Sequence, residues 1–232
     1  MHTIPYLSFS FFAITFFALY LFIRTIKNAL KEANKILIGM IVWLTIQGIL
    51  TFTGFYSTNT DSLPPRIVLT GILPAMLFVA SSFFTTYGRK LIDRLSLVHL
   101  TYIHLIRIPV ELVLYGLYLE KTIPELMTFE GRNYDIFAGL TAPFIAYGIS
   151  NHKIAKKALL IWNFMGLGLL LNIVVNAILS APSPIQKFAF DQPNIAILHF
   201  PFSWLPTFIV PVVLWAHLVS IRQLINKKAS QN

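Results

Sequence analysis

The chain of 232 residues has no cysteine. That excludes disulfides, thiolate metal sites, iron–sulfur clusters and thiol catalysis, and it leaves the redox compartment open. Charge is scarce as well. Asp, Glu, Lys and Arg make up 12% of the residues, against about 25% in soluble domains. The apolar class reaches 56% and mean hydropathy is +0.70. So little charge does not keep a 26.3 kDa globule in solution. There is no HExxH, no nucleophile elbow and no phosphate loop, so neither a metal nor a cofactor is expected.

What is present is a set of apolar runs. A spanning helix needs about 20 mainly apolar residues. Seven stretches approach that, near 4–23, 36–56, 66–87, 96–119, 135–150, 158–180 and 202–221. The expected fold is therefore all-α: a polytopic membrane protein, one integral domain over 1–232, with seven transmembrane helices. The first run has no basic region before it, and Arg24, Thr25, Ile26 and Lys27 follow it where a cleavage site would need small residues. It reads as a retained anchor.

Lys and Arg placement gives the direction. Thirteen of the eighteen basic residues fall in the first, third and fifth connections and the carboxyl-terminal tail, Lys31, Lys227 and Lys228 among them. Arg66, Lys121, Arg132 and Lys187 lie opposite, and Arg107 lies within a span. The amino terminus is thus expected outside and the carboxyl terminus in the cytoplasm of a cell membrane, the inner membrane if the cell is bacterial. The net charge of +9 is a topology signal, and no nucleic-acid partner is implied. The lipid bilayer is the expected partner, and oligomeric state is undetermined.

The fifth stretch is the weakest. It offers 15 residues from Ile136 to Ser150, interrupted by Gly139, Pro143 and Gly148. Asp135 is placed to cap its start. A re-entrant segment is the alternative, and it would put Lys153, Lys156 and Lys157 outside, against the charge rule.

The fourth stretch carries the polar chemistry. At 100° per residue, Arg107 lies about 60° from His104, Glu111 and Tyr115 about 20°, and Tyr118 about 40°. An Arg or an acid at a helix centre costs about 2.5–3.5 kcal/mol on insertion scales, so this face must meet protein or a water-filled cavity. Arg107 and Glu111 are spaced to pair within the helix, and Pro109 between them frees the carbonyl of Leu105. Gln47, Asn172 and Asn176 are the candidate partners elsewhere. The expected site is a pocket for a small solute or a proton, lined by His104, Arg107, Glu111, Tyr115, Tyr118, Asn172 and Asn176. In that scheme Arg107 holds an anionic group and Glu111 sets or relays a proton.

Entry is expected from outside, between the fourth and fifth spans, under the loop EKTIPELMTFEGRNYD. That loop supplies Glu130, Arg132, Asn133 and Asp135, and Thr122 with Glu125 fits a capping box for a short helix ending near Gly131. Short or broken helices often mark transporter sites.

Competing readings remain. Arg107 and Glu111 can be a buried clamp that only fixes packing. The outer acids Glu120, Glu125, Glu130 and Asp135 would have to serve any extracytoplasmic-face enzyme, so enzyme status is open. His99 and His217, read at similar depth, would be the ligands of a haem protein. A structural or assembly subunit without ligand is the last. Retinal chemistry is excluded, because no lysine lies in a span. Span order and direction resemble small sugar transporters of the SWEET type, but their proline–glutamine signature is absent and the fourth helix is too polar for their linker.

Overall fold

Where no water reaches the backbone, a long apolar segment must satisfy its own N–H and C=O groups, and the α-helix does so within one segment. The computed structural model describes residues 5–30 and 32–229, with side chains to 226. Ile4 at the start of the first expected span, Lys31, and the side chains of Lys227 and Lys228 lie outside the described residues. Those described are helical with no strand.

The helices are α1 (Pro5–Lys27), α2 (Ala33–Phe52), α3 (Leu73–Phe84), α4 (Thr86–Ile92), α5 (Leu97–Ile103), α6 (Arg107–Leu119), α7 (Ile136–Ser150), α8 (Lys156–Ser180) and α9 (Val210–Ala229). A 3₁₀ turn, His104–Ile106, joins α5 to α6. Wide π turns, Val68–Ile72 and Leu205–Ile209, lead into α3 and α9. Among the described residues five helices are long and apolar enough to cross a membrane: Pro5–Lys27, Ala33–Phe52, Leu97–Leu119, Lys156–Ser180 and Leu205–Asn226. Large apolar side chains such as Phe9, Phe52, Phe84 and Phe144 stand exposed, far beyond the patches a soluble monomer tolerates. The architecture is consistent with a multi-pass membrane protein.

Two of the expected spans are not straight crossing helices. The third bends by 83° between Phe84 and Thr86. Thr85 is extended there, and its hydroxyl accepts from the Gly88 N–H at 3.0 Å to start α4. A Cβ on Gly88 would lie 2.6 Å from the backbone of Ser82, so the corner closes only on glycine. The fifth, α7, has 15 residues. Its buried face is Ala138, Gly139, Ala142 and Ala146, small residues that let helices approach closely, and α5 is its main neighbour.

The π turns explain how α2 is held. Each ends next to a proline, Pro74 or Pro211, which has no N–H for the carbonyl of Thr70 or Thr207. Gln47 Nε2 donates to Thr70 O at 3.0 Å, and Trp43 Nε1 donates to Thr207 O at 3.0 Å. Gln47 and Trp43 are one turn apart on α2, so a single face of that helix satisfies two freed carbonyls on two neighbours. Gln47 also accepts from Tyr56 at 2.5 Å. It is therefore committed here and does not reach the fourth span as a partner.

The loops at one end pack on each other. Gln192 Nε2 donates to Ile123 O at 2.6 Å, and Ile195 N donates to Thr122 O at 3.0 Å. The Thr122 hydroxyl is spent on Leu117 O at 2.9 Å, closing α6. The expected capping box is consequently not formed, and only a 3₁₀ turn, Glu125–Met127, stands where a short helix was expected.

Replacing Trp43 by Phe removes one donor from a buried carbonyl. The expected loss is about 1–3 kcal/mol, read as a lower melting temperature of the purified protein. Pro211→Ala in the same chain restores a backbone donor, so the double variant should recover part of that loss.

Candidate functional site

Pro109 cannot donate to Leu105 O, and the helix tightens into the 3₁₀ turn just before it. In a 3₁₀ turn residues three apart eclipse, which brings His104 and Arg107 onto one line. Both are buried and both meet His217 of α9, whose ring stacks on His104 with centroids 3.9 Å apart. Sequence position had matched His217 with His99. That pairing is corrected: His99 meets Asn28, Nδ1 to Nδ2 at 3.2 Å.

Arg107 is shared among three neighbours. Nη1 lies 3.0 Å from Asp135 Oδ1, with both side chains almost wholly buried. The approach is close but not aligned as a hydrogen bond, so this contact is a charge pair. Nη1 and Nη2 each donate to the Gly166 carbonyl at 3.3 Å. Nη2 also meets His217 Nε2 at 3.1 Å. A guanidinium only donates, so Nε2 accepts and the imidazole proton sits on Nδ1, a tautomer assigned from the network. Nδ1–H then donates to Asn163 Oδ1 at 3.0 Å, and Asn163 Nδ2 donates to Leu159 O at 2.9 Å. A Cβ at Gly166 would fall 2.6 Å from His217 Cε1, so only glycine leaves room for this ring against α8.

Glu111 has a different partner. Asn133 Nδ2 donates to Glu111 Oε2 at 2.6 Å and to Met127 O at 3.0 Å, while Asn133 Oδ1 accepts from the Asp135 N–H at 3.0 Å. Asn133 thus supplies the side-chain oxygen at the start of α7. The expectation that Asp135 caps that helix is corrected: its side chain makes no capping bond, because the carboxylate is turned to Arg107. The Arg107–Glu111 pair suggested by their spacing is also replaced. Each takes a partner from the loop before α7, which offers better geometry than the basic-before-acidic order within one helix.

The other expected residues fall outside this network. Asn172 Nδ2 donates to Arg132 O at 2.8 Å, and Asn176 Nδ2 donates to Asn172 O at 3.0 Å. Neither reaches Arg107 or Glu111. The Tyr115 ring stacks on Phe129 at 4.9 Å and lies 6.2 Å from Tyr118. Glu130 and Arg132 are exposed. Trp162, Asn163, Gly166 and His217 were missed. Asn163 and Gly166 do share one face of α8 at a spacing of three, and that was the available signal.

Arg107, Glu111 and Asp135 are the charged residues among those lining a cavity of about 270 Å³, whose surface is almost wholly apolar. The remaining walls are apolar residues of α3, α6, α8 and the helix beginning at Leu205, with Ile72, Ile106, Met127 and Ile197 from the turns and loops. The expected opening between the fourth and fifth spans is corrected, because the small-residue face of α7 closes that side and Asp135 alone represents it in the cavity. A larger cavity of about 570 Å³ lies between α1, α2, α3 and α9. Lys35 is the one charged residue on its wall, so it lacks the converging polar groups of the first.

Fold and site together describe a helical bundle, consistent with a multi-pass membrane protein, with a buried charged centre. The chain belongs to the family described as a domain of unknown function, DUF8737, which covers residues 64–225 and so holds every residue of the network. No curated protein and no solved structure matches the chain.

Arg107→Ala and Asp135→Asn should each cost about 3–5 kcal/mol, as for a broken buried pair. A double-mutant cycle on melting should couple Arg107 to Asp135 and leave Arg107 and Glu111 nearly additive. His104 buries both ring nitrogens without a hydrogen-bond partner. His104→Phe should therefore leave stability equal or higher, while His217→Phe lowers it by about 1–3 kcal/mol.

Proposed function

We propose that this chain is a seven-span protein of the cell membrane that binds a small solute, or moves a proton, at Glu111. One observation carries the reading: a void of about 270 Å³ inside an apolar bundle has Glu111, Asp135 and Arg107 among its otherwise apolar lining residues. Arg107 and Asp135 compensate each other at 3.0 Å. Glu111 has only the neutral amide of Asn133, so it is the acid left to meet a ligand or a proton. Arg107 is committed to Asp135, Gly166 and His217. With only Nε left unpartnered, its role in this reading is to position the centre rather than to hold an anionic group.

The seven spans are the five long helices, the bent third and the short α7. At 15 residues α7 is about 22 Å long, and a local thinning of the bilayer accommodates such a helix. The amino-outside direction rests on the placement of Lys and Arg, and the ends at which connections meet agree with its grouping of the connections into two sides. Asp93 of the third connection pairs with Arg222 near the carboxyl end at 3.0 Å, while the loops around Ile123 and Gln192 join at the other end.

The absence of native cysteine makes the direction easy to read. In intact cells a membrane-impermeant maleimide should label Ser183→Cys and leave Lys153→Cys unlabelled. The reverse pattern overturns the orientation. For the site, Glu111→Gln in proteoliposomes should keep the melting temperature near that of the parent chain while abolishing proton flux or solute-dependent stabilisation. Unchanged flux with lowered stability would leave only the clamp.

A further inference from the structure

The route into the cavity is written in its walls. α3 and α8 both pack on α9, yet they make no comparable contact with each other. Between them the π turn before α9 shows Pro206, and α9 shows Val210 and Leu214, one turn apart, half-buried and lining the cavity. Ile72 and Met76 of the third helix form one rim, and Leu171 and Ile178 of α8 form the other, with Leu171 50% exposed. The groove therefore opens sideways, onto the apolar outer surface of the bundle. Its lining is apolar throughout, save that the buried Arg107, Glu111 and Asp135 border it.

That gradient defines an occupant. A water-soluble ion would have to cross an aliphatic mouth that offers it no hydrogen bond. A molecule with an apolar body is at home along the whole groove. At the deep end Glu111 has one oxygen, Oε2, held by Asn133, and no side chain donates to the other among the described residues. With Asp135 already charge-paired to Arg107, that end favours a hydrogen-bond donor or a cation. We infer that the groove between α3 and α8 admits a lipid-soluble amine from the bilayer, its chain along α9 and its head at Glu111. This rests on the pocket reading above and names its substrate class and its entrance.

Carbodiimides of two solubilities test it in liposomes holding the full chain. A carboxyl group adds across a carbodiimide C=N bond and rearranges to a stable N-acylurea with no other reactant, so mass spectrometry locates the adduct. Dicyclohexylcarbodiimide, which partitions into the bilayer, should modify Glu111, and a water-soluble carbodiimide should not. N,N-Dimethyldodecylamine, a tertiary amine that activated Glu111 cannot acylate to an amide, should slow the modification about tenfold when nine-tenths of the sites are occupied, while trimethylamine and dodecanesulfonate, which is not activated by a carbodiimide, should not slow it. Ala177→Trp, which fills the groove near its rim, should suppress the modification with little change in melting temperature.

If the water-soluble reagent modifies Glu111 equally and trimethylamine protects it, lateral entry is overturned while the pocket reading survives. Protection by dodecanesulfonate alone overturns the amine class. If neither reagent reaches Glu111 in the folded chain, and no amine shifts its melting temperature, both inferences fall together.

Discussion

A guanidinium buried in an apolar bundle has to be matched in charge and in direction, and the centre of this structure is arranged around that demand. Arg107 sits 2% exposed, and the cost of leaving such a charge unpaired runs to several kcal/mol. No single element meets it. The carboxylate comes from the start of α7, the carbonyl from the middle of α8, and the imidazole acceptor from α9. One side chain thereby fixes the spacing of four helices. The glycine at 166 and the small face of α7 are consequences, because larger residues would hold the partners apart.

The same accounting applies to the backbone. Prolines at 74 and 211 withhold donors from two carbonyls, and α2 returns them through Gln47 and Trp43. The wide turns that accompany those prolines face each other across the groove side of the bundle. At these two turns the irregular backbone sits where a neighbour supplies the missing hydrogen bond, as an apolar surrounding requires. His104 has no such compensation: both ring nitrogens are unpartnered, and the ring is held by stacking on His217 and the edge of Trp162.

Much of the site's composition was legible in the chain. Arg107 and Glu111 stand out in an apolar run because burying them is expensive, and Asn133 and Asp135 stand out in a dense polar turn just before the next helix. Their pairing was not legible. Helical projection placed Arg107 and Glu111 on one face and suggested that they meet, but Asp135 and Asn133, brought in by the loop before α7, take one each. His217 was assigned a depth from its distance to the chain end. Asn163 looked like an ordinary polar residue in a long helix, since nothing local marks it as the acceptor of a proton from α9.

The sequence by itself determined the helical class, the abundance of apolar outer surface and the presence of a buried charge needing company, because hydropathy and charge are summed along the chain without knowledge of neighbours. Only the tertiary structure decided which partner each charge takes and on which side the cavity opens. Those depend on helix rotation and on close approach at Gly166 and along α7, where shifts of a fraction of a turn exchange one neighbour for another.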